Sequence, residues 1–461
     1  MTIIMLSRRA AILGLSCALI ASALIAPMPA MAAAKIQKLV SPGGIEAWFV
    51  QDATVPLVAM EYSFDGGAAQ DPADKPGTAG MVAGLLDEGA GDLDSKSFRE
   101  RLERRAIELS FNAARDHLRG SLRMLKDNRE EAFDLLRLAL SQPRFDAPDV
   151  ERIRAQIMSG LRRESSTPGS IAGKKFMEAA FGDHPYGRPS GGTLVSVPKI
   201  DANDIRAYTK RILARDTLKI AVVGDIDAAT LGTLLDKTFG GLQANATLTP
   251  VPDIVAAKPP QKFFIPLDVP QTNIVFGGPG IMRDDPKFMA TYVVNHILGG
   301  GGLSGRLYKE VREKRGLAYS VSESLLWMQH SSLFIGSTGT RADRATDTVE
   351  AIDTEIKRLA TDGPTQQELD EAKSYLKGSQ MLALDTSSKL AGALLQYQND
   401  KLGIDYIEKR NGVVDAVTLD DTKAVAQRIW GQGAVTVVVG RAPQAAATPQ
   451  TTATPPGPTA N

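Results

Sequence analysis

Cysteine is almost absent: the chain has one, Cys17, in 461 residues. It lies inside an apolar run near the start. Once that run is removed, the chain has no thiol, no disulfide and no cysteine metal ligand. Histidine is nearly as scarce, with four residues: His117, His184, His296 and His330. No two of them stand at the spacing that puts two ligands on one helix face. Zinc takes about three protein ligands in fixed geometry, usually with His or Cys among them. Each His reads by itself as packed or solvated, and His184, before Pro185 and Tyr186, sits in a turn. A cluster of carboxylates around one His remains an open alternative. No Ser–His arrangement can be assigned, so nucleophilic catalysis has no visible centre. Excess charge of either sign is also missing. Lys plus Arg and Asp plus Glu number 53 each, which gives no support for a nucleic-acid or polyanion partner. Apolar residues make up 43%, enough for a sizeable core.

The two ends read as something other than fold. Arg8 and Arg9 form a positive start, Ala10 to Ile25 is apolar, and Ala30-Met31-Ala32 offers a small-x-small cleavage site. Residues 1–34 are therefore expected to be a signal peptide. The alternative is an uncleaved anchor, but the run is short for a spanning helix, which needs about 20 residues. Ser7-Arg8-Arg9 fits twin-arginine export, and the general secretory route fits equally. Gly14-Leu15-Ser16 before Cys17 is a poor lipoprotein signal. Export without disulfides fits a bacterial periplasm. At the other end, 442–461 is Pro, Thr and Ala with little to bury, and is expected to be a disordered tail.

Between the ends the chain is written twice. Asp204 to Gly224 and Asp421 to Gly440 each run from an acidic helix cap through an amphipathic helix into an apolar strand that stops at Gly. Asp146 to Arg154 matches Thr365 to Lys373, each with an N-cap residue and a carboxylate three places on. Ser97 to Ser110 matches Leu307 to Ser320. Three matches at near-constant separation predict two similar domains. We place them at 35–245 and 261–441, with an Ala-, Pro- and Thr-rich connector at 246–260 that includes Lys258-Pro259-Pro260. Leu57 to Phe64 alternates with period two and ends at Asp65-Gly66-Gly67; Asn273 to Phe276 ends at Gly277-Gly278. Mixed hairpin and helix signals predict an α+β fold: two homologous domains, each a mostly antiparallel sheet with helices packed on it.

Several strings carry a specific resemblance. They are Phe181-Gly-Asp-His-Pro-Tyr-Gly187, Leu218-Lys-Ile-Ala-Val-Val-Gly224, and Gly299-Gly-Gly-Gly-Leu-Ser-Gly-Arg306 leading into Glu310-Val-Arg-Glu-Lys-Arg-Gly-Leu-Ala-Tyr-Ser320. With the repeat and its length, they resemble the pitrilysin/insulinase family of zinc peptidases, over nearly the whole mature chain. The resemblance implies half of a peptidase clamshell, in the small bacterial branch that builds the clamshell from two chains. Active chains of that family carry His-x-x-Glu-His on a helix, where two His ligate zinc and the Glu activates water; a later Glu completes the ligands. Here the matching stretch is Gly77 to Gly89. The His positions become Gly80 and Gly84, the base position becomes Ala83, and the later ligand falls at Gly160. By this resemblance the chain binds no metal, and zinc is expected on a homologous partner chain.

The second half carries the opposite signal. In the family the far half supplies an Arg that holds substrate and a Tyr whose hydroxyl meets the tetrahedral intermediate. Here they are Arg312 and Tyr319; the first-half positions are Leu102 and Leu109. The chemistry is apt, since a guanidinium offers planar donors to carbonyl or carboxylate oxygens and a phenol adds one donor where negative charge develops. Singly, Arg312 reads as a solvated helix charge beside Glu310 and Glu313, and Tyr319 as a half-buried strand aromatic. As a spaced pair inside a matching string, they read as functional. The run Gly299 to Gly302 lacks the Gly-Lys-Ser/Thr ending of a phosphate loop. It reads as a turn that lets backbone approach a peptide, or as a helix break after Leu298. Three functions stand open. One is the substrate-binding subunit of a two-chain peptidase acting on peptides. Another is a stand-alone peptide-binding or scaffold protein of the envelope. The third, a self-sufficient peptidase, has no supporting residue.

Overall fold

The computed structural model describes residues 35–257 and 259–441. The expected leader with Cys17, the expected tail, and Lys258 lie outside the described residues. The first half builds a sheet from β1 (Gln37–Val40), β2 (Glu46–Gln51), β3 (Leu57–Asp65), β4 (Glu108–Ala113), β5 (His117–Leu125) and β6 (Lys219–Gly224). The second half uses β7 (Gln261–Pro266), β8 (Gln271–Pro279), β9 (Ala318–Trp327), β10 (Ser332–Arg341) and β11 (Val435–Gly440). The orders are β1-β2-β6-β3-β5-β4 and β7-β11-β8-β10-β9. Apart from β1, the second order repeats the first strand for strand. Only β2 with β6, and its counterpart β7 with β11, run parallel. The doubled sequence thus folds as two copies of one α+β topology.

The helices of the first half are α1 (Thr78–Ala83), α2 (Ser95–Arg104), α3 (Arg129–Ser141), α4 (Ala147–Ser166), α5 (Pro168–Phe181), α6 (Ala202–Ile212) and α7 (Ala228–Phe239). Those of the second are α8 (Phe288–Asn295), α9 (Ala345–Asp362), α10 (Gln366–Ala383), α11 (Ser387–Asn399), α12 (Tyr406–Asp415) and α13 (Leu419–Trp430). Two further stretches, His296–Gly300 and Tyr308–Lys314, are π-wound. Asp204 and Asp421 are not the caps themselves. The caps of α6 and α13 are Asp201 and Thr418, and Asp204 and Asp421 answer them from the third helical position in capping boxes. Thr365 and Glu368 form the same reciprocal bonds at the start of α10. Asp146, by contrast, makes no side-chain cap bond, and its carboxylate turns to Arg144 at 2.7 Å.

Sheet burial has a particular source in each half. Val58, Met60, Tyr62 and Phe64 of β3 face the core of the first half. The other face of that sheet is closed by α11, which comes from the second half: Ala391, Leu394 and Leu395 pack on Trp48, Val50, Ala221 and Val223. The reverse also holds. Helix α5 of the first half lays Ala172, Phe176 and Ala180 on Val275, Leu333, Val437 and Val439 of the second sheet. A Cβ at Gly277 would come 2.8 Å from the Phe176 ring, so glycine is needed where helix and sheet approach. Polar bonds complete the seam. The Tyr186 hydroxyl donates to Asp116 (2.5 Å) and accepts the His330 backbone N–H (3.1 Å), fixing the β9–β10 turn to the first half.

One group in this seam makes stability depend on pH. Glu61 of β3 lies on the same face as Ser63, whose hydroxyl bonds Asn399 of α11 (3.1 Å). Burial raises the Glu61 carboxyl from its ordinary 4.5 to about 7, with Arg119 pulling the other way. The folded chain therefore keeps a proton that the unfolded chain has lost. Stability falls as pH rises from 4.5 to about 7 and levels off above. Glu61→Gln is expected to match the wild type near pH 4 and to exceed it by about 1–2 kcal/mol at pH 8. Urea melts at both pH values check this, and equal stability at pH 8 would show that Glu61 carries no such penalty.

Candidate substrate-facing site

The positions matched to a zinc motif lie on α1 and α4. Helix α1 opens at Gly77, whose φ of 102° favours glycine. Asp71 caps it, accepting the N–H groups of Gly77 (2.7 Å) and Ala79 (2.8 Å). The helix stops after Ala83. Helix α4 crosses it, and a Cβ at Gly84 would stand 3.2 Å from Ile153 Cγ2. A Cβ at Gly80 would meet nothing within 4 Å, and one at Gly160 only the Arg163 guanidinium at 3.9 Å. Two of the three glycines thus have room for a larger side chain. Gly80, Gly84 and Gly160 offer no donor atom and Ala83 no carboxylate, so these residues do not fit zinc. Among the described residues, no group of three or more His, Cys, Asp or Glu could hold a metal. The end of α1 is tied to its neighbours by charge. Glu88, 8% exposed, accepts Arg99, Ser95 (2.5 Å) and Arg152 (2.6 Å). Burial works against its ionisation, but these donors hold it below its usual value.

The histidines are engaged one by one. His184 Nδ1 accepts the Tyr186 N–H (3.1 Å), so its Nε2 donates to the Pro252 carbonyl (2.9 Å). His330 pairs with Asp253 (2.9 Å), and His117 lies 3.3 Å from Asp65. His296 stacks on Tyr375 at 4.8 Å, and burial lowers its pKa.

Arg312 and Tyr319 come together. Arg312 sits on the π-wound segment Tyr308–Lys314, a winding that often marks functional positions. Its neighbour Glu310 is taken by Lys314 (2.7 Å) and faces Arg358 (3.5 Å). Arg312 itself forms no ion pair or hydrogen bond with its side chain among the described residues. Its guanidinium carbon lies 5.7 Å from the centroid of the Tyr319 ring. Five donors therefore remain open to a ligand.

Tyr319 is 84% exposed. Its placement depends on a β-bulge. Val321 pairs with Thr338 and Ala318 with Thr340, so Tyr319 and Ser320 together oppose Gly339. In the first half β4 keeps an unbroken register, Leu109 pairs with Leu122, and Leu109 is 9% exposed. Continued regular alternation from Val321 and Glu323, which point inward, would bury Tyr319 as Leu109 is buried. The extra residue turns it out.

The glycine run lies behind this strand. Helix α8 continues as the π-wound His296–Gly300, so helical winding ends after Gly300 and not after Leu298. A Cβ at Gly299 would come 2.7 Å from the Glu323 Cβ, and one at Gly300 2.9 Å from the Asn295 side-chain oxygen. Gly299 is packed against β9, and this close approach is what requires glycine there. Arg306, the last residue of that string, is structural: its guanidinium bonds Glu368 at two points (2.6 Å each) and the Gly363 carbonyl (3.1 Å). Sequence reasoning missed this clasp and the bulge. The two adjacent polar residues Tyr319-Ser320, between Ala318 and Val321, are the trace the bulge leaves in the sequence.

Comparison with known proteins bears on the family and the fold. Residues 49–194 match the family described as insulinase (peptidase family M16), and residues 199–376 the one described as peptidase M16 inactive domain. The chain is 25% identical over 371 residues to a non-peptidase homolog, YmxG, of Helicobacter pylori, covering 80% of this chain and 85% of that one. It is 26% identical over 381 residues to an uncharacterized zinc protease of Mycobacterium leprae, ML0855, covering 81% and 84%. The crystal structure of a peptidase M16 inactive domain from Pseudomonas fluorescens superposes with a TM-score of 0.83 at 28% identity, over 88% of this chain and 98% of that one. A Helicobacter pylori protease at 19% identity shares the fold, with a TM-score of 0.80 over 88% and 99%. The chain is a member of the insulinase (M16) peptidase family, built on the two-domain half of its clamshell and without the His-x-x-Glu-His motif.

Proposed function

We propose that the chain is the zinc-less, substrate-binding subunit of a two-chain M16 peptidase. A homologous zinc-bearing chain closes over it, and Arg312 and Tyr319 reach the partner's site. Arg312 holds a carbonyl or carboxylate of the bound peptide, and the Tyr319 hydroxyl donates to the oxygen that becomes negative during hydrolysis. The observation that carries the reading is the contrast between halves. One has no donor at the motif positions, while the other presents an unpaired guanidinium beside an exposed phenol. The mature protein, 35–461, is taken to work in the periplasm, where its peptide substrates reach it.

The test is co-expression with a zinc-bearing relative encoded beside it. The chain alone is expected to carry no stoichiometric zinc by elemental analysis and to leave unstructured peptides intact. With its partner it is expected to elute as one species and to raise the partner's turnover. About one tightly held zinc per chain, with chelator-sensitive cleavage by the chain alone, would refute the reading. Two separate peaks with no gain on mixing would favour the second reading, a peptide-binding scaffold of the envelope.

A further inference from the structure

We propose that Thr338 and Thr340 of β10 are positioning residues for Tyr319: their hydroxyls lock the β9 bulge that turns its ring out of the core. The functional part of this inference rests on the role given to Tyr319 above. An extra residue in one strand locally disrupts the ladder, and here two side-chain hydroxyls of the facing strand hold the backbone on both sides of it. Thr338 Oγ1 donates to the Ser320 carbonyl and Thr340 Oγ1 to the Leu317 carbonyl, both at 2.6 Å. These carbonyls bracket Ala318 and Tyr319. Both threonines are buried, at 5% and 3% exposure. Thr340 is also linked to the helix behind the sheet, since Thr348 Oγ1 of α9 lies 3.1 Å from its hydroxyl.

The first half is an internal control. Its β5, His117 to Leu125, contains no threonine. Its register with β4 is unbroken, and Leu109 points inward. Threonine hydroxyls, bulge and outward ring occur together in one half and are all missing from the other. Strand propensity alone does not explain this, because valine fits a buried strand position as well as threonine does. What threonine adds is a donor, here bonded to a backbone carbonyl on either side of the bulge.

The test separates the bulge from the chemistry. Thr338→Val and Thr340→Val, singly and together, keep the shape and remove the donors; Thr338→Ser and Thr340→Ser keep the donors. Nitration of tyrosines by tetranitromethane, mapped by mass spectrometry, reads ring exposure without any activity. In the wild type Tyr319 reacts readily, as does Tyr375, 59% exposed, which serves as the reference. In the double Val variant Tyr319 is expected to lose its reactivity to the level of buried Tyr62, while Tyr375 is unchanged. The Ser variants are expected to react as the wild type. Where the double Val variant does not fold, Thr338→Val and Thr340→Val taken singly, each removing one donor, are expected to lower the nitration of Tyr319 in part. Wild-type nitration of Tyr319 in the folded Val variants overturns the proposal. In the complex with a zinc-bearing partner, kcat is expected to fall with nitration, at constant KM, and to be restored by Ser. Protection of Tyr319 with unchanged kcat would uphold the bulge inference and remove the role assigned to the ring.

Discussion

Tyr319→Phe in the complex with a zinc-bearing partner is expected to lower kcat by about 100- to 1,000-fold, with little change in KM. Loss of one donor to a developing oxyanion has that magnitude in acyl-transfer enzymes. The change removes a hydroxyl and little volume. An interaction made mainly in the transition state shows in kcat and not in substrate affinity. Arg312→Ala is expected to raise KM as well, because a guanidinium contact to the peptide exists in the ground state. Both variants should fold normally. Tyr319 is 84% exposed, and the Arg312 side chain has no ion pair to lose among the described residues. Steady-state kinetics of the complex decides the matter. Wild-type kcat and KM in both variants would make the pair a relic, and the scaffold reading would then lead.

Arg306→Ala is expected to be strongly destabilising, at about 3 kcal/mol, because it leaves the Glu368 carboxylate without its cation and Glu355 with Arg358 alone. The Arg306 side chain is 10% exposed, Glu355 3% and Glu368 27%. Burial alone would raise the Glu368 carboxyl, but Arg306 and the Thr365 N–H outweigh it and hold it at about 2. A carboxylate depressed in the folded state stabilises above its unfolded pKa, and that share is lost as pH falls through the folded value. The difference between wild type and Arg306→Ala should therefore narrow from pH 4.5 toward pH 2. Arg306→Lys should recover little, since an ammonium cannot span both carboxylate oxygens and the Gly363 carbonyl as the planar fork does. Urea titrations checked by fluorescence and far-UV circular dichroism give the measurement. A loss below about 1 kcal/mol, the range of a surface pair, would show the clasp to be dispensable.

Local signals in the sequence were enough for the repeat. Caps, apolar strands ending in glycine, and the paired carboxylates at α10 and α13 depend on neighbours a few residues away, and the two sheets follow them in strand order. Asp204 and Asp421 were found but misplaced by a turn, because a capping box contains two acceptors and the sequence does not say which one precedes the helix. Arg312 and Tyr319 were legible as a pair through resemblance. What could not be read was which way Tyr319 faces. Leu109 and Tyr319 align residue for residue, and the one-residue bulge that separates their fates depends on pairing with a strand about twenty positions on. Arg306 stood inside a resembling string, but its partners lie on α9 and at the start of α10, far along the chain. The course of α5 and α11 was hidden for the same reason. Their amphipathic pattern shows an apolar face but not the sheet it will meet.

Those two helices have a consequence for how the molecule can move. A cut in the connector would leave each half with a sheet bare on one side and a helix with no surface to cover. The first fragment would expose Trp48, Val50, Ala221 and Val223; the second would expose Val275, Leu333, Val437 and Val439. Each fragment would keep its own main core but lose the cover of one sheet face, so the halves are expected to unfold together, despite looking like two domains in the sequence. The same interlock removes the connector as a joint. Swinging the halves apart would pull both helices off their sheets at once, which is unfolding and not opening. In the two-chain peptidase proposed above, opening to admit a peptide would then fall to the contact between the chains, with this chain moving as a rigid shell.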